Sequence, residues 1–360
     1  MARAAMKAHA RASFAVPGDL ATPTGGYAYA REVIAQANGA LTHLALTAAL
    51  GARPDGDSVT AALGQLAAAP GDRPLLIDGL ALGTLPPDGL AALGAPLVGL
   101  VHHPLALEHG VPAEDAAWLK ANERAALAVC QEVIATSYTT ARTLIADYGV
   151  AAMRITVAPP GTRRPRPRPA RMSVRGDQGG PVKLLSIGSL VPRKGMTTLL
   201  DALADVPPNW HLTAIGSTDR DPDHAAALMA KARDLGLDGR ITWAGALPRA
   251  AVEDALATHD LFVLASRHEG FGMAYAEAMM AGLPVVGCDA GAVAEATGGG
   301  ACLVPPDDPA ALSAALTPLL REPAKRAALA EHGAAAAARL PDWRDTWTRV
   351  ASALASAGRP

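Results

Sequence analysis

At 360 residues the chain is longer than one hydrophobic core ordinarily fills, so two domains of common size are expected. Half of it is apolar, yet no uninterrupted apolar run is long enough to span a bilayer, and a formal net charge of −2 gives no overall attraction to nucleic acid or membrane. The three cysteines, Cys130, Cys288 and Cys302, lie far apart without a Cys-x-x-Cys pair, which excludes the usual zinc and dithiol motifs and fits a reducing, cytoplasmic setting.

The start, MARAAMKAHARASFAVPG, carries scattered basic residues but no apolar stretch of signal-peptide length, so no secretion signal is expected. Short β-rich apolar runs then alternate with Ala/Leu-rich amphipathic stretches, the pattern of parallel sheets covered by helices. Strands are predicted at 13–16, 41–46, 75–77, 97–101, 133–136 and 155–158. After the first comes ATPTGGYAYAREVIAQ, which places Gly25 and Gly26 at a helix start, where backbone can approach a ligand. A double glycine alone more often marks a tight turn. The strand PLVGLV ends in His102, His103 and Pro104, two imidazoles whose pKa range suits hydrogen bonding or proton handling, or which merely cap a strand end. Glu108 follows in the same loop, either as an acceptor contact or as a surface acid.

Next comes a segment in which Arg163, Arg164, Arg166, Arg168, Arg171 and Arg175 are interleaved with prolines and glycines that oppose a helix. It reads as a stiff, solvated linker, with a basic patch for an acidic lipid or anionic acceptor as the alternative; it lacks the interleaved aromatics of a base-stacking surface. Weak peripheral contact with the inner membrane face follows only from that alternative. A second βα series begins with VKLLSIG at 182–188, followed by a helix at 197–203 and a strand ending at Gly216. Further strands are predicted at 240–243, 261–264, 284–286 and 301–304, and the tail containing Trp343 and Trp347 reads as helix. The expected organisation is a Rossmann-like domain over 1–160, a linker over 161–181, a second Rossmann-like domain over 182–340, and a helix over 341–360 packing back on the first.

In open parallel sheets, ligands bind beyond the carboxyl ends of strands. There LFVLAS runs into RHEGFGMAYAEAMMAGLPVVG, with Glu269 before a Gly-x-Gly turn (Gly270, Gly272) and Glu277 on the helix that begins after it. The glycine turn and helix start suit a diphosphate; Glu277 can accept hydrogen bonds from a vicinal diol such as ribose, and Glu269 from sugar hydroxyls. Two acids at this spacing alone also describe an ordinary solvated helix face.

The string SRHEGFG, the glutamate eight positions on, and AMMAGLPVV closely resemble the retaining GT-B glycosyltransferases of family 4 (glycosyl transferases group 1), the large family with sucrose synthases and bacterial mannosyltransferases. That resemblance implies an α/β GT-B fold of two doubly wound domains facing across a cleft. It implies that Glu277 holds the nucleotide ribose, while Glu269 and the amides of Gly270, Phe271 and Gly272 hold donor sugar and phosphate. GSLVPRKGMTTLLDAL resembles the pyrophosphate segment, with Arg193 and Lys194 as cations that neutralise charge growing on the diphosphate. Many relatives have Arg where this chain has Ser189, which implies either that Arg193 carries more of the load or that the phosphate is held less tightly. Gly25 and Gly26 match the family's first glycine loop, and His102, two places before a proline, matches the histidine facing the donor sugar; His103 is the alternative. APPGTR resembles the turn into the linker, with Arg163 where relatives often have an acidic or amide residue. TWAGALP, after the strand ending at Trp243, is where relatives hold the base through backbone.

No Ser/His/Asp grouping, zinc spacing, glycosidase acid pair or Asp-x-Asp segment is evident, so no cofactor and no metal are expected. The implied reaction is metal-independent hexosyl transfer with retention, from a nucleoside diphosphate-sugar to an acceptor hydroxyl on a lipid, glycan or small molecule, with domain closure assembling the site. A noncatalytic sugar-nucleotide-binding or scaffold protein of the same fold is the competing reading. A nicotinamide-dependent dehydrogenase is disfavoured because neither first strand leads into Gly-x-Gly-x-x-Gly.

Overall fold

The structure, a computed structural model, describes residues 12–47, 49–108, 110–163 and 180–358. The chain divides by its contacts into two compact units, one of residues 1–161 with 341–360 and the other of 162–340. Of the arginines in the expected linker only Arg163 is described; Arg164 to Arg175 lie outside the described residues.

The first unit contains β1 (Ala12–Pro17), α1 (Gly25–Ala37), β2 (Leu41–Leu46), α2 (Gly56–Ala67), β3 (Leu75–Asp78), α3 (Gly79–Leu82), α4 (Pro87–Ala91), β4 (Leu97–Val101), α5 (Ala113–Val129), β5 (Glu132–Ala135), α6 (Tyr138–Tyr148) and β6 (Ile155–Val157). Its six parallel strands lie in the order β2-β1-β3-β4-β5-β6. The central strands ASFAVP and LVGLV are buried at every position, as expected of parallel strands covered on both faces. The edge strand LTHLAL is buried only at its two ends, Leu41 and Leu46, and is partly open between them, with Thr42 and His43 in that stretch.

The second unit contains β7 (Val182–Ile187), α7 (Met196–Ala204), β8 (Trp210–Ile215), α8 (Pro222–Asp234), β9 (Ile241–Gly245), α9 (Arg249–Thr258), β10 (Leu261–Leu264), α10 (Met273–Met280), β11 (Val285–Cys288), α11 (Val293–Thr297), β12 (Cys302–Val304), α12 (Pro309–Arg321) and α13 (Pro323–Ala337). Its parallel order is β12-β11-β10-β7-β8-β9. The predicted strands are all present with ends displaced by a residue or two. Thr136 falls just outside β5, and its hydroxyl donates to the His102 carbonyl at 3.0 Å.

Strand order decides where a ligand can reach. In an open α/β sheet, loops diverge where the order reverses and leave a crevice at the carboxyl ends. In the second unit this point lies between β7 and β10, and in the first between β1 and β3.

The chain ends in α14 (Trp343–Ala357), which belongs to the first unit and packs on α1, β4, β5 and β6. Asp342 starts it with a capping box: its side chain accepts from the Arg344 and Asp345 amides, and Asp345 reaches back to the Asp342 amide. Trp343, Trp347, Val350 and Leu354 are buried along one helical face. Trp343 meets the Tyr29 ring edge-on at 5.7 Å between centroids, and the Thr346 hydroxyl donates to the Pro159 carbonyl at 2.7 Å. We expect Trp343→Ala to cost ~3 kcal/mol or more of stability by opening a cavity against Tyr29, measured by urea unfolding.

Candidate functional site

In the second unit the loop after β7 and the loop after β10 meet at the reversal of strand order. The β7 loop turns through a short 3₁₀ segment, Pro192–Lys194, and enters α7 at Gly195. Gly195 has φ 63°, and a Cβ there would lie 1.8 Å from the Ala265 carbonyl oxygen, so only glycine brings these loops this close. The Arg267 amide donates to the Arg193 carbonyl at 2.8 Å, and the Arg193 guanidinium donates to the His268 carbonyl at 2.8 Å.

Glu269 is the buried centre of this junction, 7 % exposed. Its Oε1 accepts from Lys194 Nζ at 2.6 Å and from the Ser266 hydroxyl at 2.6 Å, while its Oε2 lies 3.5 Å from Arg193 Nη1. Burial pushes the carboxyl up, but the Lys194 and Arg193 charges and the hydrogen bonds from Lys194 and Ser266 outweigh it and hold the group down at about 2. Two cations thus share one carboxylate.

Gly270 and Gly272 follow, and α10 begins at Gly272 with φ 107° and no side chain capping the helix start. Phe271 is packed beside Ala276 and Ala296, so its ring belongs to the core and its backbone is what a ligand in this loop would meet. Tyr275 fixes the helix by donating to the Leu264 carbonyl at 2.7 Å.

Glu277 has a cationic partner from another helix. Arg249, at the start of α9, donates to its Oε1 at 2.8 Å and to Glu253 at 2.8 Å. No spacing rule would have paired Arg249 with Glu277; the only signal was a cation immediately after the TWAGALP loop. Arg267 was likewise passed over, and it pairs with Asp307 at 2.6 Å.

The first unit holds its own cluster. Gly25 and Gly26 open α1, and a Cβ on Gly26 would lie 3.5 Å from the His102 ring. The His102 Nε2 faces Asp78 Oδ2 at 3.3 Å, and the ring meets Tyr29 edge-on at 5.3 Å between centroids. His103 turns instead to Glu108, at 2.8 Å. The two imidazoles therefore have different acid partners, and His102 is the one beside the glycine loop. Asp78, one residue past the predicted end of its strand, was missed, although the carboxyl-end rule that found His102 points to it as well.

Behind this loop Glu123 of α5 is buried, with Oε2 accepting from the Leu105 amide at 3.2 Å. Burial pushes its carboxyl up, and the Leu105 amide and Tyr148 hydroxyl offset only part of that, leaving it at about 8. Among the described residues no group of three His, Cys, Asp or Glu side chains is arranged to hold a metal ion, and no helix is long and apolar enough to cross a membrane.

Residues 181–322 match the family described as Glycosyl transferases group 1, and residues 73–164 match Glycosyltransferase Family 4. The chain carries glycosyltransferase group 1 and family 4 domains. It is 34% identical over 169 residues to mannosylfructose-phosphate synthase of Agrobacterium fabrum, covering 44% of this chain and 37% of that protein. It is 28% identical over 300 residues to the MMP alpha-(1->4)-mannosyltransferase of Mycolicibacterium hassiacum, covering 78% and 69%. In these two relatives the matched stretch thus spans from about a third to about two thirds of their length.

Sucrose-phosphate synthase from Thermosynechococcus elongatus superposes with a TM-score of 0.75 at 20% identity, over 95% of this chain and 98% of that one. Anabaena HepE in complex with UDP and glucose superposes with a TM-score of 0.74 at 21% identity, over 97% and 100%. The fold is GT-B. The group 1 match takes in Arg193, Lys194, Arg249, Glu269 and Glu277, and the family 4 match takes in Asp78, His102 and His103.

Two outcomes follow for the ionisable groups. Glu269 has a folded value depressed from 4.5 to about 2, so its stabilisation is complete above 4.5 and is lost as pH falls toward 2. In Glu269→Gln, the acid-induced fall in the urea midpoint over that window should be visibly shallower than in wild type. Glu123 has the opposite sign: its folded value is raised from 4.5 to about 8, so it costs stability progressively as pH rises through that range. Glu123→Gln should melt above wild type at pH 8 and lose that advantage toward pH 4.5.

Proposed function

We propose that the chain is a retaining hexosyltransferase that moves a sugar from a nucleoside diphosphate-sugar to an acceptor hydroxyl without a metal ion. The observation that carries this reading is the clasp of Arg193 and Lys194 by the buried Glu269 at the β7/β10 reversal, beside the uncapped start of α10. The clasp fixes two cations before any ligand arrives, so they need little reorganisation as charge develops on a leaving diphosphate. The amides of Gly270, Phe271 and Gly272 add donors for the phosphate and the sugar.

Glu277 takes the ribose diol, with Arg249 orienting its carboxylate through Oε1. The base lies along the backbone that follows β9. In the transfer the sugar's C1–O bond to the diphosphate breaks, and a bond from C1 to the acceptor oxygen forms on the same face. The acceptor proton passes to the departing phosphate oxygen, so no protein nucleophile is needed. His102 meets the sugar or the incoming hydroxyl. The relative named a mannosyltransferase, and the UDP-glucose held in a further Anabaena HepE structure, support a hexose on a nucleotide as donor.

A thermal-shift panel of UDP-, GDP-, ADP- and dTDP-sugars identifies the donor, because specific binding to the folded state raises apparent stability. With the stabilising donor, Glu277→Ala should weaken binding by ~10-fold or more, as expected for loss of a charge-assisted hydrogen-bond pair. Lys194→Ala, assayed where it remains folded, should lower kcat by ~100-fold. Wild-type turnover in both variants would remove the proposed site, and binding without transfer to any acceptor would favour a noncatalytic sugar-nucleotide protein.

A further inference from the structure

We propose that Asp78 is a positioning residue that fixes which nitrogen of His102 meets the ligand, an inference that rests on the reading of His102 as part of the transfer site. Asp78 closes β3, on one side of the first unit's β1/β3 reversal, and is 2 % exposed. Its two oxygens have separate partners. Oδ1 accepts from the Leu80 amide at 3.0 Å, which pins the carboxyl group, and Oδ2 faces His102 Nε2 at 3.3 Å. Capping a four-residue helix uses only Oδ1, so the contact with His102 is not explained by the cap.

With both carboxyl oxygens accepting, Nε2 carries the ring proton and Nδ1 keeps the lone pair. The rest of the ring's surroundings hold that orientation. Tyr29 packs edge-on against it, and the His102 carbonyl accepts from the Thr136 and Thr140 hydroxyls at 3.0 and 3.3 Å. Nδ1 is thereby kept as the ring's acceptor, the form in which it can take a hydrogen bond from a sugar or acceptor hydroxyl. With the tautomer reversed, Nδ1 would carry N–H and could bind that hydroxyl only as a donor to its oxygen, leaving the hydroxyl proton without this acceptor.

Nitrogen-15 spectra of the full-length chain, with the His102 signals assigned by their loss in His102→Gln, read the tautomer at a pH where histidine is neutral. Wild type should show the Nε2–H form. Asp78→Asn keeps an oxygen for the Leu80 amide but can present N–H to Nε2, and it should move the proton to Nδ1. Asp78→Ser, which also retains a cap acceptor, should release the preference and serves if the Asn variant folds poorly.

In turnover, Asp78→Asn should lower kcat by ~10-fold or more with the donor KM within ~2-fold, and cost nothing further on a His102→Gln background. An Nδ1–H tautomer in wild type, a tautomer indifferent to Asp78, or undiminished kcat in Asp78→Asn would each overturn the proposal. If the tautomer responds as expected but no nucleotide sugar is turned over, the pairing stands and it is the transferase reading that fails.

Discussion

A carboxylate removed from water is costly unless it is paired, and Glu269 is paired on both oxygens. That constraint organises the second unit's site. The Lys194 ammonium and Ser266 hydroxyl share one oxygen and the Arg193 guanidinium faces the other, so loops from two strands are bound to one charge. Breaking any one contact leaves a buried charge less well compensated. The same need explains the glycine at 195, since a side chain there would force the loops apart and leave Lys194 short of its partner. Electrostatics and backbone sterics therefore demand the same local structure.

The two units apply one topological rule with different strand orders. Counted within each unit, the second has the order 6-5-4-1-2-3 and the first 2-1-3-4-5-6, so the reversals fall beside different strands. In both, the loop after the unit's first strand supplies one wall: Arg193 and Lys194 in one case, Gly25 and Gly26 in the other. The opposite wall carries a buried acid, Glu269 after β10 and Asp78 at the end of β3. Each acid partners a base from elsewhere and holds it in place.

The strands were legible because buried parallel strands are continuous apolar runs, and their ends mark where chemistry can sit. Glu269, Lys194 and His102 were found that way, helped by motif resemblance. Arg249 and Asp78 were not found, for different reasons. Arg249 reaches Glu277 from another helix, a contact that no local period encodes. Asp78 was cut off by a strand boundary placed one residue early, since β-propensity falls at an aspartate even where the ladder continues. Which of His102 and His103 lies beside the glycine loop also needed the structure, because adjacent residues in a strand-end turn face different neighbours.

The charges also separate the units by the ligands each is suited to meet. In the second unit the proposed donor site combines fixed cations with a carboxylate held ionised at about 2, an arrangement that keeps its charge throughout the neutral range and suits a diphosphate. In the first, the acid behind the His102 loop, Glu123, is held at about 8 by burial and therefore stays largely neutral at ordinary pH. Asp78 is then the acid in contact with the His102 ring. A hydroxyl can donate to an imidazole or accept from it, whereas a diphosphate calls for fixed cations such as those of the proposed donor site.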